Sequence, residues 1–273
     1  MEKKLIIVRG GGDLATGTIH RLWSAKLPVL VLETEHPAAI RRQVSVSEAV
    51  YDGEVRVEGM KGVRIESCAQ ADAVIARNEV PVLTDPEGEA IGEMRPFAVV
   101  DAILAKRNLG THKNMAPLTV ALGPGFEAGK DVDIVIETMR GHDLGRVIRS
   151  GHAFPDTKIP GNIGGYTKER VIHAAEAGIF RNICKIGDVV AAGDEIARIE
   201  KEDGSCCPVP ATISGIIRGL LRDGYPVPVG FKVADIDPRT GELANCFTIS
   251  DKARCIAGSV LEVIIPRYFS DLC

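Results

Sequence analysis

The stretch Lys4-Leu5-Ile6-Ile7-Val8-Arg9-Gly10-Gly11-Gly12-Asp13-Leu14-Ala15-Thr16-Gly17 decides how the chain is read. Its first half is a short apolar, β-branched run, the pattern of a buried strand. The run stops at three glycines. Beyond them Leu14, Thr18 and Leu22, with Ile19 and Trp23, recur at three- and four-residue spacing, which predicts a helix face. Asp13 is placed to cap that helix and Leu27-Pro28 to end it. Val29-Leu30-Val31-Leu32 then reads as a second buried strand, ending at Glu33.

Strand, glycine turn, helix, strand and acid within about 30 residues is the order of a dinucleotide-binding unit. Gly10, Gly12 and Ala15 match its G-x-G-x-x-A spacing, in which glycines let the backbone approach a phosphate at the helix N-terminus. The expected site is therefore Arg9, Gly10, Gly11, Gly12, Asp13, Leu14, Ala15 and Thr16, with Glu33 placed to accept hydrogen bonds from a ribose diol. Two other readings stand beside this one. The segment is also compatible with a ligand-free β–α turn, in which Asp13 caps the helix and Arg9 balances it. Alternatively, Arg9 itself contacts an anionic ligand.

Further along, Val63–Ile65, Val80–Leu83 and Phe97–Val100 read as strands and Ala69–Arg77 as a helix, an alternation that predicts a parallel α/β sheet. Pro37–Glu48 shows helical spacing as well. Ligands collect at the carboxyl ends of such strands, which adds Asp101. A second glycine turn adds Gly123, Pro124 and Gly125, and the segment after the next strand adds Glu137, Arg140 and His142. Gly151–Tyr166 is a long Gly- and Pro-rich loop of the kind that is either functional or a linker.

Ala174–Ile199 and Ala211–Ile236 are copies of one another at an offset of 37. Ala174/Ala211, Gly178/Gly215, Ile179/Ile216, Arg181/Arg218, Gly187/Gly224, Val190/Val227, Gly193/Gly230, Ala197/Ala234 and Ile199/Ile236 are identical pairs. Interleaved copies of this kind resemble the barrel-sandwich hybrid of biotinyl and lipoyl carrier domains. The hairpin between them, Ile199–Cys207, has no Met-Lys pair, so neither biotin nor lipoate is expected.

The composition narrows the function classes. Of 273 residues, 45% are apolar and 26% charged, which suits a folded globular protein and leaves no room for collagen or coiled coil. A formal net charge of −4 gives no basic footprint, so no nucleic-acid partner is expected. No apolar run is long enough to span a bilayer, and the N-terminus does not read as a signal peptide. Seven scattered cysteines suit a reducing cytoplasm, and adjacent Cys206 and Cys207 are compatible with a persulfide or with two ordinary hairpin thiols. The six histidines show no ligand spacing, so no metal site is expected. A homo-oligomer is compatible with the sequence.

The blocks Arg9–Gly17 (RGGGDLATG), Pro37–Val50 (PAAIRRQVSVSEAV), Val100–Thr111 (VDAILAKRNLGT) and Ala121–Gly129 (ALGPGFEAG) together resemble the selenium-dependent molybdenum hydroxylase accessory proteins, the YqeB family. So do Val135–Val147 (VIETMRGHDLGRV), Gly161–Val171, Asp235–Arg239 (DIDPR) and Ile249–Ala253 (ISDKA), and the resemblance runs through nearly the whole chain. It implies a factor that matures a molybdenum hydroxylase carrying labile selenium, with that hydroxylase's apoprotein as partner. The N-terminal half is similar to xanthine dehydrogenase accessory factors, which implies molybdenum cofactor, or a nucleotide such as NAD, at the Arg9–Gly17 loop. The competing expectation is an NAD-dependent oxidoreductase using the same loop and Glu33. The expected architecture is a Rossmann-like parallel-sheet domain over 1–168, a barrel-sandwich hybrid over 169–245, and a C-terminal helix and tail over 246–273.

Overall fold

The structure, a computed structural model, describes residues 4–270. The chain forms two compact units. The first is built from residues up to Pro37, Ser45–Thr157 and the chain from Ile249 onward; the second from Ala38–Val44 and Lys158–Thr248.

The first unit holds strands β1 (Ile6–Arg9), β2 (Val29–Glu33), β3 (Glu54–Val57), β4 (Met60–Ile65), β5 (Val80–Thr84), β6 (Ala98–Asp101), β7 (Leu118–Leu122), β8 (Glu127–Ala128), β9 (Ile134–Ile136), β10 (Val147–Ile148) and β11 (Gly151–His152). Its helices are α1 (Asp13–Ser24), α2 (Ala49–Asp52), α3 (Ala71–Ala76), α4 (Glu89–Met94) and α5 (Asp251–Tyr268). Nine strands make one sheet in the order β10-β9-β7-β6-β1-β2-β5-β4-β3, while β8 and β11 pair separately. Ile6, Ile7 and Val8 are fully buried because the central strands are covered on both faces. Ile6 and Val8 pack with Ile19 and Leu22 of α1 and with Ile256, Val260 and Ile264 of α5. Ile7 faces the other way, onto Ala71 and Val74 of α3 and Ala90 and Ile91 of α4. Each fully buried aliphatic side chain in such a layer contributes about 1.5–3 kcal/mol.

Helix α5 occupies the position beside α1 that a local crossover helix would otherwise fill. A Cβ on Gly17 would lie 2.7 Å from the Ala253 Cβ, so the two helices approach closely near their starts. At the far end the Lys4 ammonium donates to the Tyr268 carbonyl at 2.6 Å, near the start of β1. Both helices therefore begin at the carboxyl edge of the sheet and run to its amino edge. The Ser250 hydroxyl caps α5 by accepting from the Ala253 amide at 3.2 Å.

The expectation of a wholly parallel, Rossmann-like sheet is corrected. The sheet is mixed: β3 and β10 run antiparallel to their neighbours at its two edges. The cause is local in each case. Val57 and Met60 are joined by Glu58 and Gly59, both at positive φ (44° and 85°), a two-residue hairpin turn. The stretch from Ile136 to Val147 holds too few residues for a crossover helix, so the chain folds back. Pro37–Glu48, expected to be helical, contains two single 3-10 turns at Arg42–Val44 and Val46–Glu48, with Ser45 extended between them.

The second unit holds β12 (Val171–His173), β13 (Gly178–Asn182), β14 (Val189–Val190), β15 (Glu195–Glu200), β16 (Cys206–Pro210), β17 (Gly215–Leu220), β18 (Pro226–Val227) and β19 (Lys232–Asp237). The repeat offset sets the strand starts: Gly178 and Gly215, Val189 and Pro226, Glu195 and Lys232. The copies exchange strands, β13 pairing with β18 and β17 with β14. Gly178 and Gly215 are needed because a Cβ at either would run into the carbonyl oxygen of Glu200 or Asp237 respectively. The expected contiguous barrel-sandwich domain is replaced by two four-stranded antiparallel sheets, β12-β19-β17-β14 and β16-β15-β13-β18, in a unit that also takes in Ala38–Val44. The chain divides at Thr157/Lys158 and Thr248/Ile249, where the sequence reading drew its boundaries at 168 and 245.

Candidate functional site

The glycine turn after β1 is closed by the protein itself. Gly10, at φ 94°, donates to the Leu32 carbonyl at 2.8 Å, and a Cβ there would meet the Ala102 backbone. The Gly11 amide donates to Glu33 Oε1 at 2.6 Å, and Thr34 donates to Oε2 at 2.8 Å. The Gly11 carbonyl accepts from the Ser47 amide at 3.0 Å and from the Thr16 hydroxyl at 3.1 Å. Thr16 Oγ1 also donates to Gly12 O at 2.8 Å and accepts from Val46 N at 2.9 Å, while Ala15 is fully buried. Glu33, expected to read a ribose, is thus consumed in holding the turn, and burial pushes its carboxyl above the usual carboxylate range.

Arg9 is buried as well. Its guanidinium donates to Thr111 Oγ1 at 2.7 Å and to the Pro86 carbonyl at 3.0 Å, and Thr111 donates to Asp101 Oδ2 at 2.6 Å. This Arg9–Thr111–Asp101 chain locks the end of β1 to the end of β6. It leaves neither Arg9 nor Asp101 as a ligand group, and burial raises the Asp101 carboxyl. Glu137 is likewise internal: Oε1 accepts from Thr138 and Met139, each at 2.7 Å, and Oε2 from Phe154 at 2.7 Å. Gly123, at φ 81°, would drive a Cβ to 2.6 Å from Thr138 Oγ1, and Gly125, at φ 112°, would bring one to 2.7 Å from the Arg107 backbone. With Pro124 between them, they form a packing turn. His142 is exposed.

What remains open lies at the helix starts. Gly12, not Asp13, is the N-cap of α1, and a Cβ on it would meet nothing within 4 Å. Asp13 Oδ1 accepts from the Leu14 amide at 2.8 Å, and Leu14 is half-buried. Beside Asp13 sits Lys252, in the first turn of α5, which the sequence reading did not single out. Lys252 is half-buried, feels the charges of Arg140, Asp13, Glu137 and Lys106, and makes no hydrogen bond to any of them among the described residues. Desolvation is the largest influence and lowers its pKa; Arg140 and Lys106 push the same way, against Asp13 and Glu137. Arg140, the one predicted residue that joins this group with its charge exposed, makes a bidentate pair with Asp251, both contacts at 2.9 Å. Lys106 pairs with Asp156 at 2.7 Å.

Lys106 arrives on a strained segment. Leu104 and Lys106 both hold positive φ (60° and 62°), which non-glycine residues seldom adopt and which costs of order 1–3 kcal/mol each. A signal for Lys252 was present in the sequence: Ser250 followed by Asp251 is an N-cap with an acid in the first turn. Among the described residues no group of three or more His, Cys, Asp or Glu could hold a metal ion, and no helix is long and apolar enough to cross a membrane.

No family model matches the chain. It is 50% identical over 262 residues to the uncharacterized protein YqeB of Escherichia coli (strain K12), an alignment covering 96% of this chain and 47% of that protein. The chain thus spans about half the length of the curated relative it matches. Among solved structures, it is similar to an aspartoacylase family protein from Mesorhizobium loti, with 13% identity, coverage of 85% of this chain and 84% of the other, and a TM-score of 0.29. It is also similar to a succinylglutamate desuccinylase from Silicibacter sp. TM1040 (11%, 86% and 84%, TM-score 0.27) and to the ectoine utilization protein EutE (DoeB) from Ruegeria pomeroyi in its apo form (11%, 85% and 85%, TM-score 0.27). Scores this low carry no activity across.

The geometry of the glycine turn overturns the expected maturation role with its molybdenum cofactor and the NAD-dependent alternative, because Glu33 and the Gly11 amide on which both readings relied are bonded to each other. By sequence, the chain is similar to YqeB across nearly all of its own length.

Proposed function

We propose that the first unit binds a small organic anion at the carboxyl edge of its sheet, between the starts of α1 and α5. The observation that carries this reading is the half-buried Lys252 ammonium in the first turn of α5, with no hydrogen-bonded counter-ion among the described residues and with Arg140, Asp13, Glu137 and Lys106 all within electrostatic reach. A buried cation is costly unless paired, and the ligand's negative charge supplies the pair. Position supports it too: ligands of open α/β sheets settle outside the carboxyl ends of the strands. The starts of two helices there favour negative charge. The Arg140–Asp251 and Lys106–Asp156 pairs are exposed and worth about 0–1 kcal/mol each, so an incoming carboxylate or phosphate can displace Asp251 or Asp156 at little cost.

The test is calorimetric titration with malonate and with inorganic phosphate at low salt. Wild-type protein is expected to bind one of the two saturably. Lys252→Gln should weaken that binding tenfold or more, about 1.4 kcal/mol, with the fold unchanged by circular dichroism. Equal binding by the two proteins removes Lys252 from the site, and no binding of either anion removes the reading.

A further inference from the structure

We propose that a cleft on another side of α5, separate from the Lys252 site, binds a phosphate group, carried by the free ion or by a small phosphate monoester. The cleft has a volume of about 100 Å3 and is lined by Gly17, His20, Arg21 and Ser24 of α1, by Ile249, and by Arg254 of α5. The four α1 residues recur at three- and four-residue spacing and so share one face of that helix. The approach of Gly17 to Ala253 brings α5 against this face, and Arg254 follows Ala253 directly. Lys252, two positions before Arg254, lies about 200° away around the helix, and it does not line the cleft. The space admits several waters or one group the size of a phosphate.

The polar groups of the cleft are donors, already oriented. Arg254 donates to both oxygens of Glu58, at 2.7 and 2.6 Å, and both contacts come from the one nitrogen Nη2. Glu58 Oε1 also accepts from the Ile249 amide at 2.8 Å. Glu58, on the turn between β3 and β4, therefore anchors the guanidinium and leaves its Nε and Nη1 for a ligand. His20 Nε2 lies 3.3 Å from the Glu58 carbonyl, which holds the ring beside the same turn. Among the described residues the side chains of Arg21 and Ser24 make no hydrogen bond or ion pair. Two arginines against one glutamate leave the cleft positive even with His20 neutral, and the start of α5 adds partial positive charge. Paired N–H donors of guanidinium groups match the oxygens of a phosphate. The free ion and a monoester present those same oxygens.

The chain carries its own probe. Trp23 is its single tryptophan, and its ring centroid lies 5.5 Å from that of His20. The full chain is titrated at low salt with inorganic phosphate and with glycerol 3-phosphate, reading Trp23 emission, and the same titrations are repeated by calorimetry on Lys252→Gln. The expected result is a saturable change in emission that persists in Lys252→Gln. Arg21→Gln, an exposed change that leaves the Arg254–Glu58 pair intact, should weaken the binding about tenfold or more, the loss of a charge-assisted hydrogen bond. Tighter binding of glycerol 3-phosphate assigns the cleft to an esterified phosphate, and tighter binding of the ion assigns it to free phosphate. Equal binding by wild type and Arg21→Gln overturns the proposal. So does a signal that vanishes in Lys252→Gln, which would then belong to the other site, and so does the absence of both an emission change and a heat of binding. Because Arg21→Gln reports this cleft and Lys252→Gln the other site, the two readings fail separately.

Discussion

Glu33 Oε1 lies 2.6 Å from the Gly11 amide, so the carboxylate at the end of β2 closes the turn at the end of β1. The same carboxylate takes the Thr34 amide on its other oxygen, at 2.8 Å. A glutamine here keeps an acceptor for the Gly11 amide and turns its NH2 toward the exposed Thr34 amide, which is left to water. Glu33→Gln should cost about 1 kcal/mol, the net worth of one hydrogen bond. Urea denaturation monitored by circular dichroism checks it. Because burial raises the Glu33 carboxyl, its contribution is fully present below the unfolded pKa of about 4.3 and is lost as pH rises through the folded value. The gap between wild type and Glu33→Gln should therefore be wider in mild acid than at neutrality; a constant gap contradicts it.

Thr111 is the hinge of the second internal lock, accepting from Arg9 and donating to Asp101. Thr111→Val keeps the shape and removes the hydroxyl, leaving a buried guanidinium and a buried carboxylate each short of a bond. The expected loss is roughly 1–3 kcal/mol for each orphaned group. Thr111→Ser should recover most of it. A valine variant as stable as wild type would show that Arg9 and Asp101 re-pair directly.

Some of this was legible in the sequence and some was not, for physical reasons. The strand ending at Arg9, the helix from Asp13 and the strand ending at Glu33 announce themselves because burial imposes a local period on side chains. Nothing in that period says which way a terminal side chain turns. Glu33 at the strand end suits a ribose as well as it suits the Gly11 amide, and only the folded turn decides. The placement of α5 is a long-range fact. Its pairing with α1 depends on Gly17 meeting Ala253, and no window of sequence contains both. The sequence reading gave a C-terminal helix and tail over 246–273 without fixing the helix start at Asp251, and so it missed Lys252, whose meaning comes from neighbours on other elements.

The Gly17–Ala253 approach yields its own test. In an isolated helix, replacing glycine by alanine gains about 0.8–1 kcal/mol. Here the added methyl would lie 2.7 Å from the Ala253 Cβ and 3.0 Å from its backbone carbonyl, so α1 and α5 must separate. Gly17→Ala should lower Tm despite the better propensity, and adding Ala253→Gly should recover part of the loss, since the carbonyl remains. A rise in Tm for the single variant would mean the helices slide without cost.

The cysteines differ in reach and in thiolate character. Cys206 and Cys255 are exposed, Cys68 and Cys246 buried. Burial, with Glu93 beside it, pushes the Cys68 thiol up to about 11, and burial raises Cys246 as well. Since the thiolate is the reactive form, iodoacetamide at pH 8 should alkylate Cys206 and Cys255 well before Cys68 and Cys246. Peptide mass spectrometry of a time course reads the order directly. Early loss of Cys68 would mean that the layer of α3 and α4 over the sheet opens in the native state.

Lys252 makes a stability prediction with a definite sign. Its folded pKa is lowered, chiefly by desolvation and then by Arg140, with Lys106 adding to the effect. The folded state therefore holds the Lys252 proton less tightly than the unfolded chain, whose lysine sits near 10.4. Below the folded pKa the protein carries the full cost of a withdrawn, unpaired ammonium. As pH rises through the folded value toward the unfolded one, that cost disappears. Lys252→Met removes the charge and keeps most of the stem's packing. It should raise Tm at neutral pH, and the advantage should shrink toward zero as pH approaches the unfolded value. Malonate at saturating concentration should narrow the neutral-pH difference from the other side, by pairing the ammonium in the wild-type protein only. A methionine variant that is less stable than wild type at neutral pH, with or without malonate, would mean that Asp13 and Glu137 already neutralise Lys252 in full and that no vacancy exists for an anion.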